Sequence, residues 1–214
     1  MLINMPHLQF PCHYLYWDDV EDHNGIKDKI LSKIKQYENT TKDKNPFDAC
    51  TMNTSIKCRI NFLDNDDIDK IVWKSIDKMI VEINSKYGYK IETKNSILTD
   101  FWYNIYDKSD FQEQHSHAGD MSIIKNKKYF PVFSGIYILH DNNVNSSVIF
   151  KQNEDLPPFR PFFDTSYTTI DTSKIKDIKE GSVILFNSNL DHLVKPCEIP
   201  GRVTIAFNVH STFD

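Results

Sequence analysis

The apolar pattern changes period part-way along the chain. Leu8 to Asp18 alternates as a strand and carries Phe10, Tyr14, Tyr16 and Trp17. Ile26, Ile30, Ile34 and Tyr37 then recur at helical spacing, which predicts an amphipathic helix over 22–37. Residues 38–56 are polar and read as a surface connection. A second stripe, Ile68, Ile71, Val72, Ile76, Met79, Ile80 and Ile83, predicts a second helix. Asp64 to Asp67 would cap its start, and Gly88 stands where it should stop. From about Ile97 the helical spacing disappears. Short β-rich runs separated by Asn, Asp, Gly and Pro predict strands at 98–106, 112–117, 132–140, 147–151, 167–171, 182–187, 191–195 and 202–210. Helices followed by many short strands predict an α+β, mainly β protein: an antiparallel sandwich or small barrel with two N-terminal helices packed on one face.

The 214 residues suit a single domain, in which 1–97 supports a β core formed by 98–214. Hydrophobic residues make up 40%, enough for a real core. The net charge of −5 argues against a general nucleic-acid binder, which carries a basic footprint; Lys125 to Lys128 reads as a solvated loop. No apolar run reaches the roughly 18 residues of a membrane span. Met1 to Pro6 is too short and lacks the basic start of a signal peptide. Cys12, Cys50, Cys58 and Cys197 have no metal-finger spacing, so free thiols in a reducing cytoplasm are expected. No internal repeat is present, and nothing in the sequence speaks to oligomeric state.

The candidate chemistry lies in Gln114-His115-Ser116-His117. Imidazoles two apart on a strand share a face, and a third from a distant strand, His192, could close one side of a metal ion. Arg202 lies ten residues beyond His192, and alternation places Arg202, Thr204, Ala206 and Asn208 on one face of the last strand, with Val203, Ile205 and Phe207 on the other. A guanidinium fork with a hydroxyl two residues on suits a carboxylate.

These residues together resemble the iron(II)- and 2-oxoglutarate-dependent oxygenases, and within them the prolyl-hydroxylase-like branch with its uncharacterised bacterial and phage members. The resemblance spans about residues 98–210. It rests on Tyr106 nine residues before His115, on Phe133-Ser134-Gly135-Ile136-Tyr137-Ile138-Leu139, on His192 after a hydrophobic strand, and on Arg202 and Thr204. It implies a double-stranded β-helix, a jelly-roll or cupin-like barrel. It also implies Fe(II) on His115, His117 and His192, with 2-oxoglutarate and O2 as co-substrates. The far carboxylate of 2-oxoglutarate would meet Arg202 and Thr204, with Tyr106, Asn208 and Tyr137 as further contacts and Tyr103 as a weaker one. Asp191 would orient His192 or cap a turn. The reaction implied is oxidative decarboxylation to succinate and carbon dioxide coupled to hydroxylation of a C–H bond.

The family's carboxylate ligand is replaced here by His117. Three imidazoles are the favoured set; Glu113 or Asp120 could instead supply a carboxylate, or His117 could stand off the metal. The polar segment Ala118 to Pro131 and the loop 153–165, with Phe159, Arg160, Phe162 and Phe163, are candidate lids or substrate contacts. The substrate is a peptide, by analogy a prolyl residue, or a small molecule. A cupin-like metal-binding protein, or a three-His dioxygenase that uses no 2-oxoglutarate, is the alternative; neither needs the Arg202 and Thr204 pair.

Overall fold

The computed structural model describes residues 7–10, 13–40, 52–54, 69–119, 121–142, 147–151 and 169–212. The N-terminal segment is a hairpin, β1 (His7–Phe10) with β2 (His13–Asp19), and not one strand. Pro11, which cannot donate to a ladder, falls between them. Helix α1 spans His23–Thr40, and a two-residue strand β3 (Asn53–Thr54) follows. A π-helical turn, Asp69–Trp73, leads into α2 (Lys74–Tyr87). Gly88 closes α2 in the left-handed conformation (φ 68°), and its N–H donates to the Asn84 carbonyl at 3.1 Å. The proposed caps at Asp64 to Asp67 lie outside the described residues. Among those described, no helix is long and apolar enough to cross a membrane.

The β region consists of β4 (Ser96–Tyr106), β5 (Gln112–His115), β6 (Ser122–Ile124), β7 (Lys127–His140), β8 (Val148–Lys151), β9 (Thr169–Asp171), β10 (Ser182–Asn187), β11 (Asp191–Val194) and β12 (Arg202–Ser211). The larger sheet runs β1-β2-β10-β7-β12-β4-β3, with β6 added to β7; the smaller runs β5-β11-β8-β9. Every pairing among the described residues is antiparallel. The two sheets form a double-stranded β-helix. Part of the segment expected to be a loop, 118–131, is a hairpin of β6 with the start of β7. Lys125 (φ 50°) and Asn126 (φ 63°) make its two-residue turn, and positive φ at both positions is what such a hairpin turn demands.

Side-chain alternation divides the interior in two. On the helix side, Ile26, Ile30 and Ile34 of α1 and Ile76, Met79, Ile80 and Ile83 of α2 pack on Tyr103, Tyr137, Leu185, Ile205 and Phe207. Each fully buried aliphatic chain contributes roughly 1.5–3 kcal/mol there. Between the sheets, Ile136, Ile138, Ile184 and Phe186 meet Val148, Phe150 and Val194. Gly135 is required by this packing. A Cβ built on it would lie 2.1 Å from the ring of Phe207, which stacks on Phe101 at 5.5 Å.

Glu180, in the turn before β10, ties α1 to the sheet. It accepts from the Asp141 N–H (2.8 Å), pairs with Lys27, and meets His140 Nδ1 (2.9 Å) and His23 Nε2 (3.3 Å). Burial pushes the Glu180 carboxyl up, but these donors outweigh it and hold the carboxyl down at about 2. A depressed carboxylate stabilises the fold above its ordinary pKa and stops doing so as pH falls through the folded value. Glu180→Gln is therefore expected to lower the melting temperature at neutral pH, with a loss on the order of 1–3 kcal/mol. The gap from wild type should close as pH approaches 2. Melting curves across that range check it, and a pH-independent gap would count against an electrostatic role.

Candidate functional site

Strand pairing brings the two most distant imidazoles together. His192 on β11 lies directly across the ladder from His115 at the end of β5, so both side chains project from the same face. Beyond β5 the chain is pinned by the His117 N–H, which donates to the Ser188 carbonyl at 2.8 Å in the turn between β10 and β11. That bond carries the His117 ring back over the other two. One ring nitrogen from each of His115, His117 and His192 lies within 4.8 Å of the others. The ring centroids are 5.1 Å apart for His115 and His117, 4.2 Å for His115 and His192, and 5.1 Å for His117 and His192.

Neighbouring acceptors set the tautomers. His115 Nδ1 is 2.8 Å from the Glu113 carbonyl, and His192 Nδ1 is 3.1 Å from the Leu190 carbonyl. A carbonyl only accepts, so Nδ1 carries the proton and Nε2 keeps the lone pair that a metal needs. Burial then keeps the rings neutral. It lowers His115, and it takes His192 well below the ordinary imidazole value, helped by the charges His115 and His117 would carry. His117 falls to about 3, through burial first and then His115, against a hydrogen bond with Asn208 that favours the charged form. The cluster is thus a set of neutral nitrogen donors on an aromatic bed. Trp102 stacks on His117 at 5.6 Å, and Phe186 lies edge-on to His192 at 4.8 Å.

A pocket runs from this cluster along β12 and β4. Its floor is a series of ladder pairs: Arg202 with Tyr106, Thr204 with Asn104, and Ala206 with Trp102. Arg202 is 3% exposed, and its Nε and Nη1 are buried without an acceptor among the described residues. Its guanidinium lies 5.4 Å from the Tyr106 ring centroid. Asn104 Oδ1 is likewise buried without a donor among those residues. Buried polar groups are nearly always satisfied, so an orphaned guanidinium beside a hydroxyl marks a place shaped for an anion. Val148, Val194 and Ile136 from the inter-sheet core complete the walls.

Several expected contacts lie elsewhere. Tyr137 points to the helix side, where its hydroxyl is 2.7 Å from His23 Nδ1; it is a core residue and does not reach the pocket. Tyr103 lies in the same helix-side core. Asn208 accepts from the Ser134 hydroxyl at 2.8 Å and bonds His117, so it orients an imidazole from behind. Asp191 accepts from Gln114 at 3.0 Å, and the Leu190 carbonyl orients His192 in its place. Glu113 is not among the residues that line the pocket; its carbonyl accepts from His115 Nδ1 instead. The β5–β11 register shifts between His192 and Val194, so β5 carries one extra residue and Gln112 takes the place beside His115. Asp120 and the loop residues Phe159, Arg160, Phe162 and Phe163 lie outside the described residues. Sequence reasoning missed Gln112, Asn104 and Trp102. The last two have the same strand parity as Tyr106, a signal already present in the 98–106 pattern; Gln112 had none, because a bulge decides its direction.

No protein-family model matches the sequence, and no curated protein matches it. Solved structures do. A Pseudomonas putida prolyl-4-hydroxylase superposes with a TM-score of 0.55 at 11% identity, covering 95% of both chains. A Trichoplax adhaerens prolyl hydroxylase, in complex with a hypoxia inducible factor peptide fragment, gives 0.56 at 13% identity over 91% of this chain and 82% of its own. Streptomyces hygroscopicus HygX, with nickel and 2-oxoglutarate bound, gives 0.54 at 13% identity over 93% and 83%. The chain therefore has the double-stranded β-helix fold of 2-oxoglutarate oxygenases, and the structures it resembles include those of the prolyl-hydroxylase-like branch.

Proposed function

We propose that the protein is a non-haem Fe(II)- and 2-oxoglutarate-dependent oxygenase that hydroxylates a C–H bond of its substrate. The observation that carries this reading is one pocket holding both a neutral three-imidazole cluster and a buried arginine with unpartnered donors. The donor set fits the metal: imidazole suits Fe(II), and three ligands on one side leave room for a chelating co-substrate and O2. His115, His117 and His192 would hold the ion. With 2-oxoglutarate and O2 bound, the metal would supply oxidative decarboxylation to succinate and carbon dioxide, one oxygen atom going to succinate and the other to the substrate C–H.

The chain's own residues do the rest. Arg202 and Thr204 receive the far carboxylate of 2-oxoglutarate, and Tyr106 backs the guanidinium. Ser134 and Asn208 hold the His117 ring at its angle. Val148, Val194 and Phe186 keep water from the pocket and so strengthen every charge interaction inside it. Three neutral imidazoles leave the full charge of a divalent ion uncompensated, which favours a dianionic co-substrate over a neutral one.

The substrate in this reading is a peptide, with a prolyl residue as the nearest analogy, or a small molecule. A second pocket, lined by Tyr89, Ala118, Gly119, Pro131 and Asn187 to Asn189, borders the segments that carry His117 and His192 and gives such a substrate a place to lie. A cytosolic setting goes with the reading. A three-His cupin oxygenase that dispenses with 2-oxoglutarate would use the same imidazoles but has no use for Arg202 as it stands. Anaerobic titration of the Fe(II)-loaded protein with 2-oxoglutarate tests the choice. A metal-to-ligand charge-transfer band is expected in the visible. Iron binding without that band would overturn the role of 2-oxoglutarate, and failure to bind iron would overturn the metal centre.

A further inference from the structure

Gln112 has a position that the reaction as described does not use. It is 7% exposed, and its carboxamide lies between Tyr106 and His115. The Tyr106 hydroxyl donates to Gln112 Oε1 at 3.2 Å, and Gln112 Nε2 lies 3.2 Å from His115 Nε2. His115 Nδ1 in turn donates to the Glu113 carbonyl at 2.8 Å. With the His115 ring neutral, only one set of donors and acceptors satisfies all three contacts. With its oxygen facing the tyrosine hydroxyl, the carboxamide must present N–H to His115 Nε2, whose lone pair accepts. That lone pair is the one a metal would take. The two demands compete, and a buried N–H that loses its acceptor costs about 1–3 kcal/mol unless another acceptor replaces it.

We propose that Gln112 is a positioning residue that couples metal binding to anion binding, its N–H passing from His115 Nε2 to the anion held beside His115 on the metal. The inference rests on the function proposed above and adds a specific link to it. Metal alone takes the Gln112 acceptor away, whereas metal with a carboxylate ligand supplies a charged acceptor in its place. The site should then bind the two together better than either separately. The pocket that holds Arg202, Thr204 and Tyr106 also holds Gln112, so one anion lies within reach of both ends.

The test is a pair of titrations by calorimetry under anaerobic conditions, on wild type and on Gln112→Leu, which keeps the volume and removes the donor. Co(II) is titrated first, and 2-oxoglutarate is then titrated into the Co(II)-loaded protein. In the leucine variant, Co(II) affinity should hold or rise, since no hydrogen bond is given up. Affinity for 2-oxoglutarate should fall about tenfold or more, the scale of a hydrogen bond to a charged group. A residue that only packs the site would lower both affinities together, and that result would overturn the proposal, as would unchanged 2-oxoglutarate affinity. Gln112→Glu keeps the shape and reverses the polarity, so it gives the same reading should the leucine variant fail to fold: Co(II) binding tighter, 2-oxoglutarate weaker. Failure of wild type itself to bind Co(II) or 2-oxoglutarate would overturn the proposed function and this inference with it. Parallel losses in the variants alone would overturn only the role of Gln112.

Discussion

Replacing Arg202 by Met is expected to weaken 2-oxoglutarate binding by about 2–5 kcal/mol, the usual range for losing one partner of a buried, hydrogen-bonded charge pair. At about 1.4 kcal/mol per factor of ten, the fall in affinity exceeds roughly 25-fold. The same change should raise the melting temperature of the protein measured without co-substrate. Arg202 is 3% exposed and its Nε and Nη1 have no acceptor among the described residues, and such orphaned buried donors cost roughly 1–3 kcal/mol. Loss of the Tyr106 contact, worth about 2 kcal/mol for a desolvated pair, offsets part of that. Binding and stability should therefore move in opposite directions, which distinguishes a ligand-holding arginine from a structural one. Arg202→Lys keeps the charge but loses the planar fork, so it should fall between the two. Calorimetry of the metal-loaded proteins and thermal melts of the unloaded ones measure both arms. Equal 2-oxoglutarate affinity in wild type and Arg202→Met would mean that the guanidinium serves only the core.

Removing the imidazole of His192 is expected to cost more in metal affinity than the roughly 10–100-fold lost when a second-layer partner is removed. His192 is 2% exposed and sits between His115, His117, Phe150 and Phe186, so its position is fixed by the rings around it. His117→Ala is the informative companion. If all three rings hold the metal, both variants lose iron. If His117 stands off, its variant keeps iron and only His192→Ala loses it. Iron content after gel filtration, with Co(II) titration for the equilibrium constants, separates these outcomes. Iron retained at wild-type level in His192→Ala would remove the metal centre altogether. Asn208→Ala, which withdraws the hydrogen bond on His117, should give a smaller loss than either.

Much of the architecture was legible because periodicity reports burial directly. The Ile26, Ile30, Ile34 stripe can only be one face of a helix, and the alternation from Arg202 to Asn208 can only be two faces of a strand. The same alternation separates Arg202 and Thr204 from Phe207; the first face lines the pocket and the second packs on the helix side. Tyr137 failed for a related reason. Its neighbours Ile136 and Ile138 are as apolar as it is, so a strand buried on both faces carries no mark of which face holds the chemistry. The loop from Ala118 to Pro131 hid a hairpin because its strand β6 has only three residues and its turn, Lys125-Asn126, lacks the glycine that would have announced it.

The sequence by itself determined the order of helices and strands, the inward face of the last strand and the residue types able to bind a metal and a carboxylate, because each follows from local spacing and side-chain chemistry. Only the tertiary structure decided that His115 and His192 stand opposite each other across a ladder, since a separation of 77 residues says nothing about register. It also decided that Gln112 lines the pocket with the imidazoles, because a single register shift between His192 and Val194 gives β5 one extra residue. And it decided that Arg202 is buried with Nε and Nη1 lacking an acceptor among the described residues, a property that depends on everything packed around it.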